Sequence, residues 1–133
     1  MENNSFKDLF AKAKQASKKA HAPYSKMHVG AVVITENGNT YTGCNVENAS
    51  FGLTTCAERN AISAAVNAEG TSMKIKFIAV AIENDSPIPP CGACRQVIAE
   101  FSNQETTGVI FKTTGGKIEC KKITDLLPEA FKL

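Results

Sequence analysis

The sequence lacks several features that would assign it a role at once. Its charge is nearly balanced, with 15 Lys and Arg against 13 Asp and Glu, and apart from Lys18-Lys19 and Lys121-Lys122 the basic residues are scattered. Nucleic-acid binding requires a concentrated basic face, so this distribution favours a small substrate. No apolar run approaches the roughly 20 residues that span a bilayer. The opening "MENNSFKDLF" is polar and acidic where a secretory signal is basic and then apolar. A cytoplasmic protein without membrane association is therefore expected. Low-complexity tracts, long charge runs, internal repeats and linkers are also missing, and 43% hydrophobic with 21% charged residues is ordinary for a folded chain. A length of 133 residues fits one domain, expected to occupy 1–133.

What the chain does have is cysteine. There are five, an odd count, and in a reducing compartment they are poor evidence for disulfides. Metal binding or catalysis is the leading use for some of them.

The patterning predicts alternating helices and strands. In "SFKDLFAKAKQASKKA" the residues Phe6, Leu9, Phe10, Ala13 and Ala16 recur at helical spacing, with Ser5 and Asp8 resembling a capping pair. "HVGAVVIT" and "TYTGCNV" read as strands of a hairpin reversed at Asn37-Gly38. Thr54 or Thr55 is expected to cap a helix through "CAERNAISAAVNAE", stopped in a left-handed conformation at Gly70. "IKFIAVAIE" is apolar enough for a strand buried on both faces, and "CGACRQVIAEF" resumes helical spacing after a proline-rich loop. "GVIFKTT" and "KIECKKI" read as strands joined through Gly115-Gly116, followed by a short helical turn in "TDLLPEAF". This order predicts a layered α/β domain with a mixed sheet.

Three cysteines fall at predicted helix starts. Cys91 and Cys94 share one face of a first turn and suit a tetrahedral metal, although "PCGAC" by itself equally permits a thioredoxin-type redox pair. Cys56 tips the balance, because two helices flanking a parallel strand pair can bring their first turns together at one sheet edge. Helix N-termini favour thiolates, and Arg59 in the same turn as Cys56 is placed to donate to the ligand sulfurs. Three protein ligands with a vacant fourth position describe catalytic zinc, whereas a closed site would need Cys44 or Cys120, both in strands where a thiol commonly packs. Glu58 lies about 200° around an ideal helix from Cys56, a poor position for a fourth ligand and a suitable one for a proton carrier. Viewed alone, it is also an ordinary acid near a helix N-terminus.

Together, "CAE" and "PCGAC" look like the zinc deaminase signature. The wider stretches "PYSK", "NVENASFGLTTCAER", "PCGACRQVIAEF" and "LLPEAF" resemble the small cytidine deaminases acting on free nucleosides, over nearly the whole chain. The resemblance implies a three-layer α/β/α sandwich with a five-stranded mixed sheet. It implies one Zn²⁺ per subunit on Cys56, Cys91 and Cys94, and Glu58 moving protons while water attacks C4 of the pyrimidine. Asn45 and Glu47 would hydrogen-bond the ribose, the Ala57 N–H would meet the base carbonyl, and Met27 would line the pocket. The implied assembly is a homotetramer in which Phe131 enters a neighbouring subunit's site. The implied reaction converts cytidine and deoxycytidine to uridine and deoxyuridine with release of ammonia, in pyrimidine salvage.

Two residues depart from many relatives. Met27 stands where phenylalanine is common, losing ring stacking, and Pro89 stands where serine is common, losing a hydroxyl and an N–H. The competing readings are deamination of another small aminated heterocycle, a structural zinc module, a dithiol redox protein and a polynucleotide deaminase.

Overall fold

A computed structural model describes residues 3–133 of the chain. Helix α1 (Asn3–Ala16) is followed by a 3-10 turn and the hairpin β1 (Val29–Thr35) and β2 (Thr40–Cys44). Then come α2 (Ala57–Glu69), β3 (Ile75–Ile82), α3 (Gly92–Glu100), β4 (Gly108–Lys112), β5 (Ile118–Lys122) and the short α4 (Ile123–Leu126). Met1 and Glu2, where the reading of the N-terminal segment begins, lie outside the described residues. Among the described residues no helix is long and apolar enough to cross a membrane.

The five strands form one sheet in the order β2-β1-β3-β4-β5, with β3 and β4 parallel and the other neighbours antiparallel. Helix α1 covers one face, where Leu9, Phe10 and Ala13 meet Val32, Ala79, Ala81 and Ile110. Helices α2 and α3 cover the other, where Ala57, Ala61, Ile62, Ala65 and Ile98 meet Ala31, Val33, Ile78, Val80 and Val109. The alternation of strand side chains between faces assigns each residue to its layer. On β3 it sends Ala79 and Ala81 toward α1, and Ile78 and Val80 toward α2 and α3. Each fully buried Ile or Val contributes about 1.5–3 kcal/mol through loss of water contact, so this two-faced core is the main stabilising term.

Small residues set how closely the layers approach. A Cβ on Gly30 would collide with the Ala13 carbonyl, and one on Gly43 with the Ala61 amide and, at 2.6 Å, the Ala57 carbonyl. Both glycines therefore permit a helix backbone to lie directly against the hairpin.

Three local expectations are corrected. The start of α1 at Asn3 puts Ser5 inside the helix, so Ser5 and Asp8 are not its cap. The residue capping α2 is Cys56, with no side-chain capping bond. The threonine hydroxyls are engaged elsewhere: Thr54 Oγ1 accepts from the Asn48 amide at 3.3 Å and Thr55 Oγ1 from Asn60 Nδ2 at 3.1 Å. Gly70 ends α2 at φ 85° and ψ −173°, an extended conformation of positive φ open to glycine and outside the left-handed helical region.

Strand direction explains where the helices begin. Because β1 is antiparallel to both β2 and β3, those two run the same way. The chain leaves the carboxyl end of β2 to enter α2, and the carboxyl end of β3 to enter α3. Both helix N-termini therefore arrive at the same end of the sheet, the end where open α/β folds place their chemistry.

Candidate metal centre

Cys56 and Cys91 are the N-cap residues of α2 and α3, each in an extended conformation, with φ −75° and −67°. Cys94 lies in the first turn of α3, fully buried, and its amide donates to the Cys91 sulfur at 3.4 Å. The three sulfurs lie within 4.8 Å of one another, and among the described residues no other group of His, Cys, Asp and Glu converges in this way. Tetrahedral zinc with Zn–S near 2.3 Å holds its sulfurs about 3.8 Å apart, a separation that falls inside the 4.8 Å within which the three lie. Cys44 ends β2 and Cys120 lies on β5, at opposite edges of the sheet, and neither is part of the triplet.

The surroundings bias the thiols toward ligation. Arg59 Nη2 donates to Cys56 Sγ at 3.2 Å. The Cys56 thiol is drawn down to about 5, first by the hydrogen bond it shares with Cys94 and then by the Arg59 guanidinium. Cys94 is pushed up by the other side of that shared bond and by burial. Without metal the cluster thus keeps a thiol donating to a thiolate. The donor set and positive surroundings fit Zn²⁺, which replaces those protons.

Glu58 is only 5% exposed. Burial pushes its carboxyl up to about 7, and the neighbouring Cys56 charge pushes the same way. Its carboxylate is not part of the sulfur triplet. A group beside the metal site that changes protonation near neutrality can both accept and return a proton. The N–H groups of Ala57 and Glu58 belong to the helix start, where amides have no partner within the helix.

The remaining candidates fall into two places. Val46 and Thr55 exchange backbone hydrogen bonds of 2.9 and 3.0 Å, which lays Asn45–Glu47 alongside the approach to Cys56. Asn45 Oδ1 accepts from the Val29 amide at 2.8 Å and its Nδ2 donates to the Met27 carbonyl at 2.8 Å, leaving one amide proton and one lone pair uncommitted. Glu47 accepts from the Tyr24 amide at 3.0 Å, the Ser25 amide at 3.1 Å and the Ser25 hydroxyl. Those donors, the Ser25 hydroxyl foremost, hold its carboxyl below the usual range. Met27 is 48% exposed beside them. A cavity of about 400 Å³ is lined by Tyr24, Ser25, Glu47, Phe51 and Thr54. Phe131 lies elsewhere, 68% exposed, lining a cavity with Gln96, Ala99 and Glu100 along α3.

The sequence reading missed the donors to Glu47. Tyr24 and Ser25 stand in "PYSK", but a serine after a proline is ordinary turn chemistry, and nothing local links it to an acid 22 residues away.

The geometry agrees with known proteins. Residues 3–110 match the family described as the cytidine and deoxycytidylate deaminase zinc-binding region. The chain is 45% identical to a cytidine deaminase of Sporosarcina psychrophila over 92% of its own length and 88% of the relative's. It superposes on the crystal structure of cytidine deaminase from Burkholderia pseudomallei with a TM-score of 0.84 at 44% identity, covering 98% of this chain and 100% of that one. The cytidine deaminase structure from Mycobacterium tuberculosis gives 0.84 at 36% identity, covering 96% and 98%. A match to most of the chain, relatives of nearly equal length and a three-cysteine zinc cluster lead to one conclusion: the chain belongs to the cytidine and deoxycytidylate deaminase family of zinc-dependent hydrolytic enzymes.

Proposed function

We propose that the protein is a cytoplasmic cytidine deaminase of pyrimidine salvage, a single domain over 1–133 that hydrolyses cytidine and deoxycytidine to uridine and deoxyuridine with release of ammonia. The observation that carries this reading is the buried, neutral-range Glu58 beside the three sulfurs of Cys56, Cys91 and Cys94. Relatives named cytidine deaminase support the choice of substrate.

Cys56, Cys91 and Cys94 would hold the metal. When bound there, zinc supplies Lewis acidity that brings the pKa of a water from about 15.7 toward neutrality. Glu58 takes one proton from the attacking water and delivers it to N3 of the pyrimidine, then takes the second from the new C4 hydroxyl and delivers it to the departing amino group, so that one water is consumed and one ammonia released. Arg59 offsets the charge of the thiolates by donating to Cys56. The Ala57 N–H donates to the base carbonyl. Asn45 and Glu47 bind the ribose hydroxyls, their positions supported by the hydrogen bonds to Met27, Val29, Tyr24 and Ser25. Met27 covers the base with an adaptable apolar side chain. The protein works as a homotetramer in which Phe131 closes a neighbouring subunit's site, a role supported by its exposure.

The test is zinc content measured beside ammonia release from cytidine, deoxycytidine, cytosine and deoxycytidylate, for the native chain and Glu58→Gln. Glu58→Gln is expected to keep its zinc and lose turnover. Inactivity of the native, zinc-loaded chain on both nucleosides would refute the substrate assignment.

A further inference from the structure

The residue that follows the last zinc ligand makes two bonds that neither zinc ligation nor substrate binding requires. Arg95 Nε donates to the carbonyl of Pro90 at 2.8 Å, and Arg95 Nη1 to the carbonyl of Leu126 at 3.0 Å. Pro90 immediately precedes Cys91, and Leu126 is the last residue of α4. The next residue, Gln96, donates through Nε2 to the carbonyl of Phe131 at 3.1 Å.

These bonds matter because the loop leading into Cys91 has few backbone donors of its own. Pro87, Pro89 and Pro90 have no N–H to donate, and Ile88 reaches the Lys112 carbonyl at 3.2 Å. Cys91 is itself exposed, held by the buried Pro90 before it and by the Arg95 and Cys94 amides, which donate to its carbonyl at 2.9 Å and its sulfur at 3.4 Å. Among the described hydrogen bonds, the Arg95 side chain is what ties the carbonyl next to Cys91 to the helix carrying Cys94. The same guanidinium grips the end of α4, from which the C-terminal residues depart. Its planar donors point in fixed directions, so the two carbonyls are positioned relative to each other, which the point charge of lysine cannot reproduce.

We infer that Arg95 is a positioning residue that ties the Cys91 side of the metal site to the C-terminal segment, so that zinc occupancy and the seating of residues 127–133 are coupled. Ligation of Cys91 steadies the Pro90 carbonyl, which steadies the guanidinium and with it the end of α4. By reciprocity, a seated C-terminal segment slows zinc loss. The inference rests on zinc at the three cysteines and is independent of any role for Phe131 in a neighbouring site.

The experiment combines zinc release to a chromogenic chelator with hydrogen exchange of the Leu127 amide, which donates to the Ile123 carbonyl at 2.9 Å. Arg95→Ala is expected to weaken zinc retention by about 10–100-fold, the range for losing a group that orients a ligand. In the native chain, zinc removal should speed Leu127 exchange while β3 amides stay protected. In Arg95→Ala that exchange should be fast with or without zinc. Gln96→Leu, which releases the Phe131 carbonyl and keeps both Arg95 bonds, loosens the segment only near its end and should speed zinc release by less than Arg95→Ala does. A native chain that binds no zinc would overturn the metal-site reading and this inference together. With zinc bound, the inference alone is overturned if Arg95→Ala releases zinc at the native rate, or if Gln96→Leu speeds release as much as Arg95→Ala. It is equally overturned if zinc removal leaves Leu127 exchange unchanged or speeds β3 alongside it. If Arg95→Ala does not fold, the native measurements decide.

Discussion

Helices α2 and α3 begin alike and are held differently. Each is capped by a cysteine in extended conformation at the same end of the sheet. The start of α2 is built in: Val46 and Thr55 pair across the preceding strip, Asn60 Nδ2 donates to the Cys44 carbonyl at 2.8 Å, and the helix backbone rests against Gly43. The start of α3 follows a proline-rich loop, its cap Cys91 is exposed, and the Arg95 side chain donates to the Pro90 carbonyl before it. One side of the metal site is thus joined to the hairpin by its backbone, and the other combines the fully buried Cys94 with the exposed Cys91. The acid sits on the α2 side, where burial both raises its pKa and keeps its position, while the α3 side carries the tie to the C-terminus.

Four measurements would break or sharpen that contrast. The largest effect is expected for Glu58→Gln, which removes the proposed proton carrier. Turnover should fall by about 10²–10⁴-fold with zinc content unchanged, and loss of zinc instead would make Glu58 structural. Next is the pair Gly43→Ala and Gly92→Ala. The first forces a methyl into the α2 backbone and should cost about 1–3 kcal/mol in urea unfolding. The second meets no atom within 4 Å and should change stability by less than about 0.5 kcal/mol. Equal costs at the two glycines would erase the distinction between a helix start pressed against the hairpin and one whose first residue faces open space.

A smaller effect concerns the far end of α2. Glu69 accepts from Thr35 Oγ1 at 2.9 Å, Asn37 Nδ2 at 2.9 Å and Asn39 Nδ2 at 3.0 Å, clasping the hairpin turn. These bonds, Asn39 foremost, lower its folded pKa. A depressed carboxylate stabilises the fold above its unfolded value, and that contribution is lost as pH falls through the folded one. Glu69→Gln should therefore flatten the acid side of the stability profile, and an unaltered profile would show the clasp to be energetically silent. The smallest change is expected at Glu129, held at φ 51° in the C-terminal segment. Glu129→Gly relieves about 1 kcal/mol of left-handed strain and loosens the unfolded chain in return. A net change in Tm of a few degrees or less is expected.

Much of this was legible because it depends on local pattern. Phe6, Leu9, Phe10 and Ala13 marked the buried stripe of α1, and "IKFIAVAIE" marked a strand covered on both faces. The cysteines were legible as ligands once two were seen at one helix start and a third at another. The capping of α2 was not, because Thr54 and Thr55 are good caps whose hydroxyls are occupied by Asn48 and Asn60, partners that only the loop path supplies. The Glu47 donors and the Arg95 ties were hidden for the same reason. They join residues 22 and 31 positions apart, and each is locally an ordinary turn serine or helix arginine.

By itself, the order of apolar runs and turn residues determined a layered α/β chain, and the spacing of Cys56, Cys91, Cys94 and Glu58 determined which side chains are chemically able to serve a metal and a proton. Periodicity and ligand chemistry are properties of short segments, so they survive without a fold. Tertiary structure decided that β2 and β3 run in one direction, bringing both helix starts to one end of the sheet and the three sulfurs within 4.8 Å. It also decided that Glu58 is buried deeply enough to titrate near 7. Convergence and desolvation depend on what the rest of the chain packs around a residue, and no neighbour in sequence carries that information.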